Sequence, residues 1–207
     1  FAFQSKWKKS VWDVYRDAEL PRKWHEILNS YAKSIDIDFF TSPWDFEAVD
    51  LLKKLKVPAI KVGSGDITYH EILRKIAKIN KPVILGTGAS SMEEISKAVS
   101  IIKSTGNENL ILLHCNSSYP STYSEVNLRF IDTLRKMYQI PIGFSDHTTD
   151  LLASKTAISI GANVVERHFT LSKKMEGPDH ILSSEKNEMT DLVNSKKFYI
   201  KWKLWQK

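Results

Sequence analysis

The chain has 207 residues, of which 42% are hydrophobic, and a formal net charge of +6. This length supports one substantial core but is below the roughly 250 residues of a typical eight-unit β/α barrel, so we expect one incomplete domain. No apolar stretch reaches the roughly 18 residues that indicate a membrane span. The single cysteine, Cys115, excludes an internal disulfide and agrees with a reducing compartment. We therefore expect a soluble, cytoplasmic protein without a membrane or nucleic-acid partner.

The positive charge is concentrated at the carboxyl end of the chain. Residues 195–207 contain five lysines and no acidic residue, interleaved with four aromatic side chains. Such a composition could bind an anionic polymer or a membrane surface. The spacing favours instead a final helix that is apolar on one side and solvated on the other. We divide the chain into a domain over residues 1–194 and a basic aromatic tail over residues 195–207.

In chain order, residues 1–33 have a helical pattern that is interrupted at Pro21. Six units follow, each made of a short apolar run and a helical stretch. The runs cover residues 37–40, 57–62, 82–85, 110–113, 140–144 and 164–165. Each run ends in small or polar residues. After the third run, Ser91 with Glu94 three positions later predicts a capped helix start.

Alternating strands and helices of this kind predict an α/β fold with a parallel sheet that is covered on both faces. We predict a (β/α)8 barrel of the TIM type, in which six units are present and the first two are absent. An open doubly wound sheet gives a similar pattern, but it usually carries a glycine-rich phosphate turn after its first strand. No such motif and no P-loop occur, so the sequence does not favour nucleotide binding.

Lys61 lies inside a predicted apolar strand, just before Ser64. An enclosed ammonium at this end of the barrel could hold a phosphate or a carboxylate, with help from the hydroxyls of Ser42, Ser64 and Ser145. It could instead form a Schiff base with a carbonyl substrate. Strand alternation also allows Lys61 to point outward between helices, where it would have no part in a site.

His147 and His168 follow adjacent predicted strands. Two neutral imidazoles close together suit a divalent metal ion that keeps open positions for water and substrate. A histidine that caps a helix or satisfies a core hydrogen bond gives the same pattern. His114 and His180 are further candidates, although His114 lies within a strand and is expected to be a hydrogen-bonded barrel residue.

Three carboxylates are expected at the same end of the barrel, namely Asp66, Asp146 and Asp179. They could hold sugar hydroxyls, orient a histidine or move protons. Asp146 precedes His147 on a strand and therefore points to the opposite face, so we expect a structural partner rather than a second ligand. Tyr119 could form a wall of the pocket or simply pack within its loop.

Six segments in register resemble the sialic acid synthase family, which includes N-acetylneuraminate synthase and bacterial relatives for legionaminate and pseudaminate. The resemblance covers about residues 20–193. The segments are KVGSGD at 61–66, KPVILGTG at 81–88, LHCNSSYP at 113–120, GFSDHT at 143–148, ERHFT at 166–170 and GPDH at 177–180.

The resemblance implies a phosphoenolpyruvate-dependent synthase, a transferase of carbohydrate biosynthesis. Such an enzyme condenses phosphoenolpyruvate with an N-acylated hexosamine such as N-acetylmannosamine, forms a nine-carbon 2-keto acid and releases phosphate. It also implies a divalent metal ion, Mn²⁺ or Mg²⁺, which would polarise the sugar aldehyde as a Lewis acid. By position, the implied metal ligands are His147 and His168. The implied phosphoenolpyruvate ligands are Ser42, Lys61, Ser64, Ser117 and Ser145, and the group implied to hold the open-chain sugar comprises Asp66, Tyr119 and Asp179.

The sequence also departs from the family pattern. Family members begin with two further strand and helix units, which carry an acidic residue and another lysine of the active site. They end in an antifreeze-like domain that reaches across a homodimer. Neither part occurs in this sequence, which opens at Phe1, so we expect a truncated synthase. The alternatives are a catalytically silent barrel that binds phosphate or sugar or serves only in assembly, and an aldolase that uses Lys61 as a Schiff base.

Overall fold

The strands form one parallel sheet in which the strand order follows the chain order. The computed structural model describes residues 9–205, with the backbone alone for residues 196–205. Within this range the sheet has five strands: β1 (Ile60–Val62), β2 (Val83–Gly86), β3 (Leu110–Cys115), β4 (Ile142–Asp146) and β5 (Val165–Arg167). Every neighbouring pair is parallel, as β/α units require.

Helices separate successive strands. Over residues 9–205 the α helices are α1 (Val11–Asp17), α2 (Trp24–Ser34), α3 (Phe46–Leu55), α4 (His70–Ala77), α5 (Met92–Lys103), α6 (Phe130–Tyr138), α7 (Leu152–Ser159) and α8 (Lys186–Trp205). A 3₁₀ helix (Ser64–Asp66) follows β1. The capping box that Ser91 and Glu94 predict is present at the start of α5. The alternation confirms the predicted β/α organisation.

The outer face of the sheet, under the helices, holds the hydrophobic core. One register-aligned row across four strands is fully buried: Val62, Leu85, Leu112 and Ile142. Leu73 of α4, Ile102 of α5 and Leu134 of α6 belong to the same buried cluster. Since each buried aliphatic side chain contributes about 1.5–3 kcal/mol, this layer fixes the strands relative to the helices.

The sheet is strongly curved, as a contact between side chains of its two outermost strands shows. Nζ of Lys61 on β1 lies 3.5 Å from Oε2 of Glu166 on β5. In a flat sheet, four strand spacings of about 4.8 Å would separate these strands by about 19 Å. The inner face is crowded as well, since a Cβ on Gly143 would lie 2.5 Å from Cδ2 of Leu113. The sheet is therefore a half-barrel with a packed concave side.

The first of the six predicted strands is wrong. Residues 37–40 form no strand, and the adjoining Thr41 accepts one backbone hydrogen bond from Lys61 at 3.3 Å. Ile37 and Phe40 are 58% and 39% exposed, so this apolar run gains little burial from its position beside β1. An apolar run alone does not distinguish an extended segment from a paired strand.

Helices lie near both ends of the described range. The helical pattern near the amino end is interrupted as predicted, since Pro21 lies between α1 and α2. Residues 195–205 continue α8, whereas the side chains that give the tail its basic and aromatic character lie outside the described residues. No helix within residues 9–205 is both long and apolar enough to cross a membrane.

Candidate active site

An anion cluster lies on the concave face, made of Lys61, Ser145 and Glu166. Oγ of Ser145 donates to Oε1 of Glu166 at 2.7 Å, and Nζ of Lys61 lies 3.5 Å from Oε2 of the same carboxylate. The Lys61 side chain is 16% exposed. Strand register explains the grouping, because Ser145 pairs directly with Glu166 and both lie on the inner face. The outward orientation of Lys61 is therefore excluded.

A second group, the Gly88 pocket, lies where β2 and β3 end. Oγ of Ser64 accepts a hydrogen bond from the backbone N–H of Gly88 at 2.9 Å, and Sγ of Cys115 lies 3.1 Å from both. A Cβ on Gly88 would lie 2.8 Å from Oγ of Ser117 and 3.1 Å from Oγ of Ser64. Two hydroxyls thus converge closely on one glycine, so a side chain at this position would meet them. Hydroxyl donors grouped in this way suit phosphate oxygens.

His147 and His168 form the histidine pair at the ends of β4 and β5, with 5.3 Å between ring centroids. His147 is buried, and its Nδ1 lies 2.7 Å from the carbonyl oxygen of Asn116. Because a carbonyl only accepts, Nδ1 carries the proton and Nε2 keeps its lone pair. Burial lowers the pKa of His147 to about 4, so the ring is neutral near pH 7. Nδ1 of His168 lies 3.6 Å from the Asp179 carboxylate.

Tyr119 lines this pair. Its ring stacks on His147 with 4.0 Å between centroids and meets His168 edge-on at 5.8 Å. Burial raises the pKa of the Tyr119 phenol, so it stays protonated near pH 7 and can donate a hydrogen bond. The structure therefore brings together His147, His168, Tyr119 and Asp179, as the sequence predicts.

The donor chemistry of the histidine pair fits a divalent cation. Both rings belong to the class of ligand that such ions accept, and the Nδ1 hydrogen bond of His147 fixes the tautomer that leaves Nε2 for a metal. Among the described residues, no three of the His, Cys, Asp and Glu side chains form a group that could hold an ion. A metal held by this pair would thus keep open positions for water and substrate.

Two predicted site residues lie apart from these groups. Ser42 is half-buried beside β1, and Asp66 follows β1 in the 3₁₀ helix. Within the described part of the chain, neither side chain makes a hydrogen bond to another predicted site residue. Oδ2 of Asp66 is buried without a hydrogen-bond partner there, and burial raises the pKa of this carboxyl despite the charge of Lys61. A buried acceptor of this kind is suited to a hydroxyl group of a ligand.

The remaining candidates have structural positions. Nε2 of His114 lies 2.7 Å from the carbonyl oxygen of Val126, which confirms the expected hydrogen-bonded barrel residue. Nδ1 of His180 lies 2.7 Å from Oγ1 of Thr170. Asp146 is fully buried on the outer face and pairs with Arg167, so the prediction of a structural partner is confirmed.

The sequence interpretation missed Glu166 and Cys115. Glu166 completes the anion cluster, and Cys115 forms one side of the Gly88 pocket. A usable signal for Glu166 exists, because it lies two positions before His168 and strand alternation places both on one face. Cys115 had the corresponding signal two positions before Ser117, at the end of β3.

Known proteins of similar sequence identify the relatives of this chain. The model of the NeuB family matches residues 1–201. An uncharacterized protein of Methanocaldococcus jannaschii is 45% identical over 91% of this chain and 56% of its own length. The N,N'-diacetyllegionaminic acid synthase of Campylobacter jejuni is 42% identical over 87% of this chain and 55% of its own.

A solved structure shares the fold over nearly the whole chain. The N-acetylneuraminic acid synthetase of Leptospira borgpetersenii, crystallised with citrate, superposes with a TM-score of 0.89 at 32% identity, over 96% of this chain and 70% of the other. The present chain spans about half the length of the curated relatives it matches. With a family match over residues 1–201 and a barrel wall of the same shape, the chain belongs to the NeuB family.

Proposed function

We propose that this chain is the catalytic barrel portion of a synthase that condenses phosphoenolpyruvate with an N-acylated hexosamine. The product is a nine-carbon 2-keto acid of the sialic type. The proposal extends what the family match supports, since relatives carry the names of N,N'-diacetyllegionaminic acid and N-acetylneuraminate-9-phosphate synthases. For the full-length protein we propose a homodimer that acts in the cytoplasm, on the strength of the family resemblance.

One observation supports this proposal most directly. The anion cluster and the histidine pair occupy successive inward positions of the same two segments: Ser145 precedes His147 by two residues, and Glu166 precedes His168 by two residues. An anion held by Lys61 and Ser145 would therefore lie next to an electrophile held at the histidine pair. A condensation between an enol phosphate and an aldehyde needs this adjacency.

Phosphoenolpyruvate is the anionic partner in this proposal. Lys61 supplies the cation, the hydroxyls of Ser64, Ser117 and Ser145 supply neutral donors, and the Ser42 hydroxyl is proposed as a further donor. The backbone N–H of Gly88 donates to Oγ of Ser64 and so orients this hydroxyl. Donors that are held in place before the substrate arrives stabilise developing charge without reorganising.

The N-acylated hexosamine binds at the rim in its open-chain form. Tyr119 and Asp179 lie beside the histidine pair, where a phenol donor and a carboxylate acceptor can hold hydroxyl groups. The unpartnered Oδ2 of Asp66 offers a further acceptor. His147 and His168 would hold a bound Mn²⁺ or Mg²⁺, which would supply Lewis-acid polarisation of the aldehyde.

The proposed reaction joins the two substrates through one new carbon–carbon bond and releases phosphate. The C3 carbon of phosphoenolpyruvate attacks the aldehyde carbon, one carbon–carbon bond forms, and the aldehyde oxygen takes up a proton. Water adds to C2, and one of its protons balances the proton taken up by the aldehyde oxygen. The C2–O bond to phosphate then breaks, and the second water proton leaves with inorganic phosphate as the keto group forms. Lys61 and Ser145 hold the charge of the departing group, whereas Tyr119 and Asp179 keep the sugar carbon facing C3.

Release of phosphate tests the proposal. The purified chain is incubated with phosphoenolpyruvate and Mn²⁺, with and without N-acetylmannosamine. We expect sugar-dependent release that is lost in His147→Ala and retained in His25→Ala, since His25 lies on α2 outside the site. Release independent of the sugar, or equal in the two variants, would contradict the proposed condensation.

Two further measurements separate the alternatives. Binding of phosphoenolpyruvate without turnover, by a folded sample, would identify the silent barrel. Trapping of a pyruvate adduct on Lys61 with borohydride would identify the Schiff-base aldolase, in which lysine rather than a metal activates the carbonyl. We expect no adduct, because the Lys61 ammonium is held beside the Glu166 carboxylate.

A further inference from the structure

We propose that the buried ion pair between Arg167 and Asp146 is a positioning device for the histidine pair and for Asp179. The inference rests on the proposed function, because it assigns these two residues to the orientation of the site. Neither residue lies on the inner face, so neither is expected to contact substrate. Their role follows from where they lie in the chain, since Asp146 directly precedes His147 and Arg167 directly precedes His168.

The guanidinium of Arg167 ties three segments together. Nη1 donates to Oδ2 of Asp146 at 2.5 Å, and Nη2 donates to the carbonyl oxygens of Thr148 at 2.9 Å and Leu182 at 3.1 Å. Nε donates to Oγ of Ser184 at 2.8 Å. The Arg167 side chain is 1% exposed. The end of β5, the end of β4 and the loop after Asp179 are therefore fixed by one rigid, planar group.

Asp146 completes the network from the β4 side. Its side chain is 0% exposed. Oδ1 accepts from the backbone N–H of Thr148 at 2.9 Å and from the hydroxyl of the same residue at 2.8 Å, and Oδ2 also accepts from Ser154 of α7. Both carboxylate oxygens are thus satisfied. The turn that contains His147 is held on both sides, by Asp146 before it and Thr148 after it.

This network determines the separation of the two imidazoles. Adjacent residues on a strand point to opposite faces, so a fixed Arg167 on the outer side fixes the direction of His168 on the inner side. The same argument relates Asp146 to His147. Since one ion pair joins both backbones, neither histidine can shift relative to the other without breaking a buried, charge-assisted hydrogen bond.

The same network reaches Asp179. Arg167 binds the carbonyl oxygen of Leu182 and the hydroxyl of Ser184, while the backbone N–H groups of Leu182 and Ser183 donate to the carbonyl oxygen of Asp179. The turn that presents the Asp179 carboxylate to His168 is therefore fastened to Arg167. A purely stabilising role would not require an ion pair, because well-packed apolar residues of similar volume often stabilise a core as well.

Two readouts on the full chain test the inference. The first is the affinity for Mn²⁺, measured from the electron paramagnetic resonance signal of the free ion. The second is the ¹⁵N spectrum of the imidazoles, which needs no metal. For Arg167→Lys we expect about 10-fold or greater weakening of Mn²⁺ binding, as outer-shell substitutions at metal sites give. We also expect shifted signals for His147 and His168 and unchanged signals for His25.

The matched control is Arg135→Lys. Arg135 also pairs with a carboxylate and donates to two backbone carbonyl oxygens, but it joins α6 to the end of α7, away from the strand ends that bear the site. If Arg167→Lys does not fold, Ser184→Ala tests the inference instead, since it removes only the hydroxyl that accepts from Nε of Arg167. About 3-fold weaker Mn²⁺ binding, or shifted His168 signals, supports the role in that variant.

Unchanged Mn²⁺ affinity together with unchanged imidazole signals in a folded variant would overturn the inference. Failure of the proposed function has a different signature, namely wild-type protein that does not bind Mn²⁺ or binds it equally in His147→Ala. In that case the imidazole spectra still decide whether Arg167 positions the two rings.

Discussion

The carboxylate of Glu166 lies 3.5 Å from the ammonium of Lys61, in the place where we expect a substrate anion to bind. It also accepts a hydrogen bond from Ser145, so one carboxylate engages two of the proposed phosphoenolpyruvate ligands. An incoming anion must displace this carboxylate or bind beside it. Under the proposed function, Glu166 would therefore compete with the substrate anion and orient the cation and the hydroxyl before substrate binds.

Glu166→Gln tests this relationship. The amide oxygen can still accept from Ser145, whereas the negative charge beside Lys61 is removed. Because a partly exposed ion pair is worth about 0.5–1 kcal/mol, we expect phosphate to bind about 2- to 5-fold more tightly. Isothermal titration with inorganic phosphate measures this change. Glu108→Gln, which breaks a surface pair with Lys103, should leave the affinity unaltered; weaker binding in Glu166→Gln would refute the competitor role.

Gly88→Ala should abolish the Gly88 pocket. Its new Cβ would lie 2.8 Å from Oγ of Ser117, 3.1 Å from Oγ of Ser64 and 3.2 Å from the carbonyl oxygen of Cys115. We expect at least 10-fold weaker binding of phosphate and a loss of about 1–3 kcal/mol in the free energy of unfolding, as overpacked sites show.

Gly65→Ala is the matched control, because a Cβ at that position meets nothing within 4 Å. It lies one residue from Ser64 and should leave phosphate binding unaffected. Titration of the two variants side by side, with unfolding curves in urea, separates a local effect on the pocket from general destabilisation. Equal phosphate affinities in the two variants would mean that the pocket does not bind the anion.

The repeated strand and helix units could be predicted from the sequence, because the residue types at the end of each strand differ from those within it. Apolar runs that stop at small or polar residues identify β1 to β5, and Ser91 with Glu94 identifies the start of α5. The strand predicted over residues 37–40 is wrong because burial depends on neighbours that are remote in sequence, and this segment lacks such burial. Pairing of strands is a tertiary property and has no local signature.

The candidate site likewise has features that could be predicted from the sequence and features that could not. Histidines at the ends of neighbouring strands could be expected to meet, and His147 and His168 do. The contact between Lys61 and Glu166 could not be predicted, because it depends on how far the sheet curls between β1 and β5. Curvature arises from the packing of all the layers together, so only the structure locates the anion cluster.

Tyr119→Phe should separate sugar binding from metal binding. The phenyl ring keeps the stack on His147, while the hydroxyl that we propose for the sugar is lost. We expect KM for N-acetylmannosamine to rise about 10-fold, within the range of one lost hydrogen bond in a buried site, with Mn²⁺ affinity unchanged. Tyr119→Leu removes the stack as well and should weaken both. A fall in Mn²⁺ affinity in Tyr119→Phe would contradict this division of roles.

Stability should fall with acid because two buried histidines are neutral in the folded state. Burial lowers the pKa of His114, and burial lowers the pKa of His147 to about 4. In the unfolded chain both titrate near 6.5, so below that pH the unfolded state binds more protons and is favoured. The stabilisation is complete above pH 6.5 and is lost as the pH falls toward the folded pKa values.

His114→Gln tests the His114 contribution to this slope. The glutamine amide can still donate to the carbonyl oxygen of Val126, which accepts from Nε2 of His114 at 2.7 Å. Urea unfolding between pH 7.5 and 5 should show a shallower decline for the variant than for the wild type, since one histidine contributes at most about 1.4 kcal/mol per pH unit. His147 should keep the decline from disappearing. Parallel curves for the two proteins would show that His114 charges as readily in the folded state as in the unfolded one.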